Sequence, residues 1–87
     1  MKLEKVGRNE WNALKVGEIG IFTLPTKKAK ECARVAMSQV KDLSKDEPEG
    51  EKDFERVTWE ELREKYGNEY EMVVPDERLT LAYRRVK

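Results

Sequence analysis

The clearest hydrophobic pattern runs from Ala29 to Leu43, where Ala29, Cys32, Ala33, Ala36, Met37, Val40 and Leu43 recur at intervals of three and four. At about 100° per residue this spacing collects them on one stripe and predicts a long amphipathic helix. Its alanines let the helix backbone approach a sheet closely. Thr26 can cap the helix, and SKDEPEGEKD, Ser44 to Asp53, ends it as a charged loop containing Pro48 and Gly50. Ahead of it, EIGIFTLP is rich in β-branched and aromatic residues and stops at a proline, so Glu18 to Leu24 reads as a strand. Ile19 and Ile21 face one side of that strand while Phe22 and Leu24 face the other, as expected where both faces are covered. Earlier still, NEWNALKVG predicts a short helical turn, with Asn9 as its cap, Trp11 and Leu14 three apart, and Gly17 free to take a left-handed exit.

Beyond the charged loop, FERV is short enough to be a strand or an extended lead-in. In TWEELREKYGN, Thr58 and Glu61 have capping-box spacing, Trp59, Leu62 and Tyr66 line one side, and Gly67 supplies a stop, so a second, short helix is expected from Trp59 to Tyr66. The final EYEMVVPDERLTLAYRRVK reads as a β-hairpin, with PDER as the turn between Tyr70 to Val74 and Leu79 to Val86. The expected fold is α+β: one long amphipathic helix and a short second helix packed on a small, mainly antiparallel sheet of three or four strands with a C-terminal hairpin. Residues 1–87 form a single small domain.

Composition fits a folded chain. Apolar residues make up 38% and charged residues 41% of the 87, and two Trp, three Tyr and two Phe supply a core that a disordered segment would lack. No apolar run approaches the roughly 20 residues needed to span a bilayer, and the N-terminus has no apolar secretory stretch, so a cytoplasmic location is expected. Cys32 is the sole cysteine and there is no histidine, which removes a disulfide framework, a cysteine zinc cluster and the commonest general base. No membrane partner and no cofactor are expected.

The net charge of zero hides an uneven distribution. Residues 1–45 carry ten Lys/Arg against five Asp/Glu, residues 46–77 carry four against thirteen, and residues 78–87 carry four against none. Such asymmetry marks either an interaction surface or basic and acidic parts that lie against one another in the same fold.

The succession of LKVGEIGIF, the helix KKAKECARVAMSQVKDL, a phenylalanine after a charged loop in GEKDF, and the arginine-rich end LTLAYRRVK resembles small uncharacterised proteins of bacteriophages and integrated mobile elements. The likeness spans most of the chain, and the chain departs from it in its acidic second helix, which is often shorter in those proteins. It implies no established activity and points toward an accessory role near nucleic acid.

Three lysines at the head of the long helix pose the sharpest chemical question, because cations are locally unfavourable beside the positive end of the helix dipole. Lys27, Lys30, Arg34, Lys41 and Lys45 fall within about 60° of one another on the helical wheel and make a basic ridge at the margin of the apolar stripe. A phosphate backbone could lie along that ridge, with Thr26, Lys28 and the first-turn N–H groups offering an anion site at its head. The simpler reading of the same residues is a solvated helix face whose lysine stems cover apolar neighbours. Arg84 and Arg85 join the phosphate-binding candidates, whereas Tyr83 shares a side with Leu79 and Leu81 and belongs with the core.

Other chemistry finds no pattern. DEPEGEKD lacks the order of a calcium loop, Glu60, Glu61 and Glu64 have no apolar pocket to separate their pKa values, and no glycine-rich phosphate loop is present. Cys32, amid alanines, reads as a small core residue. The chain is expected to be a non-enzymatic binding protein with no catalytic or metal site. Nucleic acid held by the basic helix face is the first reading. The alternative is a protein-interaction or self-association module in which the basic helix of one copy meets the acidic segment of another.

Overall fold

The computed structural model describes residues 5–48 and 50–87. Element order is α1 (Arg8–Asn12), β1 (Ile19–Thr23), α2 (Lys27–Ser44), β2 (Phe54–Arg56), α3 (Trp59–Tyr66), α4 (Tyr70–Val73) and β3 (Thr80–Arg85), with 3₁₀ turns at Gly67–Glu69 and Glu77–Leu79. The α+β class, the long helix, the second helix and a small antiparallel sheet are all as the sequence predicts. The sheet has three strands in the order β1-β3-β2, so the last strand in the chain lies in the middle.

Strand alternation divides the interior into two clusters. Phe22, Leu24, Phe54, Leu81 and Tyr83 meet Trp11 of α1 and Ala33, Ala36, Met37 and Val40 of α2 on one face. On the other, Ile19, Ile21 and Ala82 meet Val57, Leu62, Tyr70 and Val74 around α3 and α4. The opposite facing of Ile19/Ile21 and Phe22/Leu24 therefore reflects a sheet covered by helices on both sides. Trp11 is the hub of the first cluster. Its ring meets Phe22, Phe54 and Tyr83 edge-on at 5.0, 5.5 and 5.8 Å. Its indole N–H donates to the Ala33 carbonyl at 2.8 Å, an approach that a small residue on α2 permits. Nearby, a Cβ at Gly20 would stand 2.8 Å from Leu14 Cδ1, so the Leu14 side chain would have to shift to admit one.

Several local expectations are corrected. Tyr70–Val73 is one helical turn, not a strand, so the C-terminal hairpin does not form. Both edges of β3 are taken, by β1 through Ile19↔Arg84 to Thr23↔Thr80 and by β2 through Phe54↔Arg85 to Arg56↔Tyr83, leaving no place for a hairpin partner. Tyr70 and Val74, four apart, instead turn to one buried cluster. FERV does contribute a strand, at the sheet edge. The first helix begins before Asn9: Gly7 is its N-cap, and its N–H donates to the Glu10 carboxylate at 3.3 Å.

The stripe on α2 is also narrower than expected. Ala33, Ala36, Met37, Val40 and Ser44 are buried, while Cys32 and Leu43 are exposed. Those two lie about 80–100° around the helix from Ala33, beyond the reach of a sheet only three strands wide. Ser44 closes the helix: its hydroxyl donates to the Lys41 carbonyl and accepts the Lys52 N–H, each at 2.8 Å, which ties the charged loop back to α2. Gly67 caps α3 with a φ of 54°, whereas α1 ends at Asn12 on Ala13, so Gly17, with a φ of 89°, turns the chain toward β1 and is not the exit of that helix. Among the described residues, no helix is long and apolar enough to cross a membrane.

Candidate nucleic-acid interface

Each basic candidate is best judged by what already occupies its charge. Thr26 caps α2, its hydroxyl accepting the Ala29 N–H at 3.1 Å, which takes up one of the first-turn donors. Lys27 and Lys28 beside it are exposed and have no ion-pair partner among the described residues. Lys30 reaches across to the turn before β3 and donates from Nζ to the Arg78 carbonyl at 2.9 Å. Arg34 pairs with Glu31 one turn back. That hydrogen bond holds the Glu31 carboxyl below its ordinary range and raises the guanidinium.

Farther along the helix, Lys41 lies 3.1 Å from Asp53 of the charged loop and Lys45 lies 3.8 Å from Asp42. The lower half of the basic ridge is thus engaged by carboxylates. The C-terminal arginines are also committed, and on opposite faces of β3. Arg84 bonds Glu61 of α3. Arg85 donates to the Leu14 carbonyl at 2.6 Å and the Lys87 carbonyl at 2.8 Å. Glu61 therefore leaves its expected reciprocal place in the capping box, although Thr58 still accepts the Glu61 N–H at 3.2 Å.

The upper half of the ridge meets a different environment. Lys30 and Arg34 line a groove of about 200 Å³ together with Arg56 of β2 and Tyr83 of β3, with Trp59 and Glu77 also on its walls. It opens where α2 crosses the β2–β3 side of the sheet and α3 begins. Register explains the convergence: Arg56 pairs with Tyr83, so both side chains rise on the face that α2 covers. Arg56 is exposed and has no ion-pair partner among the described residues. Tyr83 is half-buried, its ring braced edge-on against Trp11 at 5.8 Å while it also borders the groove. Trp59 is anchored by the second core cluster and borders an adjoining open depression, with Arg56 and Arg63. Glu77 is engaged by Arg63 at 2.8 Å, which offsets the carboxylate on the groove wall.

Sequence reasoning named Lys30 and Arg34 and missed Arg56 and Trp59. Arg56 stands in a three-residue strand whose partner could not be read from its own composition, and Trp59 looked like an ordinary apolar position of α3. Among the described residues, no group of three or more Cys, Asp or Glu is placed to hold a metal ion. Compared with known proteins, the chain has no significant match to a protein-family model, a curated protein or a solved structure.

Proposed function

We propose that this chain is a small non-enzymatic protein that binds nucleic acid through its phosphates, in an accessory role and with little base readout. One observation carries the reading: Lys30, Arg34 and Arg56, drawn from separate elements, converge on one groove that also presents Tyr83 and Trp59. Three cations beside aromatic rings suit a phosphate-bearing, base-bearing ligand better than a simple anion. The pairs that hold Arg34 and Lys30 are exposed contacts, weak enough in water for a phosphate to replace them. Self-association by opposite charges has less support. Lys41 with Asp53, Lys52 with Glu47, Arg63 with Glu77 and Arg84 with Glu61 already balance basic and acidic parts within one chain.

The test is fluorescence anisotropy of a labelled oligonucleotide, offered single-stranded and annealed, over a range of salt. Three phosphate contacts predict a slope of log affinity on log salt of about −2.1 to −2.7, or a loss of about 20- to 40-fold between about 50 and 200 mM salt. Arg34→Glu combined with Arg56→Glu should abolish most binding, while Lys15→Glu, which changes net charge away from the groove, should alter it little. Absence of binding to either form at low salt, or equal loss from the Lys15 variant, would refute the proposal.

A further inference from the structure

We infer that the groove takes a single nucleic-acid strand rather than a duplex, with one base seated against Trp59 and the flanking phosphates on Arg56 and on the Lys30–Arg34 turn; this rests on the nucleic-acid reading above. The cationic strip is narrow. Lys30 and Arg34 are one helical turn apart, about 6 Å along α2, and Arg56 faces them across a groove of about 200 Å³. Carboxylates border the strip: Glu31, released when a phosphate takes Arg34, and Glu60 in the depression beyond Trp59. A duplex would bring a second phosphate row over those carboxylates, whereas one strand can follow the cations alone. The aromatic is positioned for the same ligand. Trp59 borders the groove on one side and the Arg56–Arg63 depression on the other, and the second core cluster fixes it in place. Arg56 lines both hollows, so a phosphate on its guanidinium places the adjoining base at the indole. Stacking on an aromatic platform beside a cationic groove requires an unpaired base, which a duplex does not offer.

Tryptophan fluorescence makes this measurable once Trp59 is the sole tryptophan. Trp11 is wholly buried, but its ring lies 5.8 Å from Tyr83 on the groove wall, so the quenching is read in Trp11→Phe, where it reports Trp59 alone. Titration of the full chain with a thymidine 15-mer and with a hairpin duplex of equal charge, at low salt, is the experiment. Expected are at least ten-fold tighter binding of the single strand, quenching by the single strand only, and about ten-fold or greater weakening by Trp59→Ala with an unchanged salt slope. Trp59→Phe, which keeps a ring in the core position, should retain most of the affinity and guards against loss of fold in the alanine variant. Equal affinity for both forms, or single-strand binding without quenching, would overturn the single-strand inference and leave phosphate binding standing. No binding of either form overturns both.

Discussion

Thr80 shows how a single side chain can be fixed by hydrogen-bond arithmetic. Its hydroxyl has one proton and lies 2.6 Å from the Asp76 carbonyl and 2.8 Å from the Thr23 hydroxyl. It must donate to the carbonyl and accept from Thr23, which links β1, β3 and the turn before β3 in one buried chain. Thr80→Val would leave the Thr23 hydroxyl and the Asp76 carbonyl without that partner. A loss of about 1–3 kcal/mol is expected in urea unfolding. Thr23→Val, which removes only the terminal donor, should cost less, and the double variant should cost less than the two single losses added together. Strict additivity would show that the chain of bonds contributes nothing as a unit. At this same scale the sequence was legible in part: Thr26 and Thr58 are caps as their contexts indicate, but Cys32 reads as core and is exposed.

At the scale of elements, α2 is a helix divided along its length. Its first half faces the groove, and its second half is tied to the loop by Lys41 and Asp53. The Lys41 ammonium, with the Phe54 N–H at 2.9 Å, holds the Asp53 carboxyl below its ordinary value of 3.8. A carboxyl lowered in the folded state adds stability that is present above the unfolded value and lost as pH falls through the folded one. Stability should therefore fall below about pH 4 in the native chain, and part of that fall should be missing in Asp53→Asn. Both partners are more than a third exposed, with side-chain exposures of 39% and 37%, so the effect is small. Denaturant midpoints of the two proteins that ran parallel from about pH 5 to pH 2.5 would count against any such contribution. Among the described residues, no carboxylate of the acidic segment pairs with the lysines at the head of α2. Lys30 is taken by a backbone carbonyl, and Lys27 and Lys28 remain exposed.

For the whole molecule, the sheet couples the two clusters, with β3 at its centre. Leu81 and Tyr83 belong to the α1–α2 side, and Ala82 to the α3–α4 side, so neither face keeps its sheet if the other unfolds. Unfolding should be a single cooperative transition. Trp11→Phe and Trp59→Phe, each leaving one tryptophan to report on one face, should give fluorescence transitions that coincide with loss of helix by circular dichroism within each variant. A fluorescence transition that separates from loss of helix would mean that the faces melt independently.

The chain's own pattern determined the amphipathic α2, the two-faced β1, the capped α3 with its stop at Gly67 and the α+β class, because each depends on periodicity and on interactions within a few residues. Tertiary structure alone decided that β3 is central, that Tyr70–Val73 becomes a helical turn, and that Arg84 meets Glu61 while Arg85 meets the Leu14 carbonyl. It also decided the composition of the groove. Strand order and register are set by which apolar faces can be covered together, a condition on distant segments that no local pattern contains. Charge is subject to the same rule: a lysine's spacing on a helix fixes its direction, whereas the carboxylate or carbonyl that meets it comes from elsewhere in the chain. Lys41 and Lys30 look alike in the sequence, yet a loop aspartate takes one and the other lines a groove with Arg56.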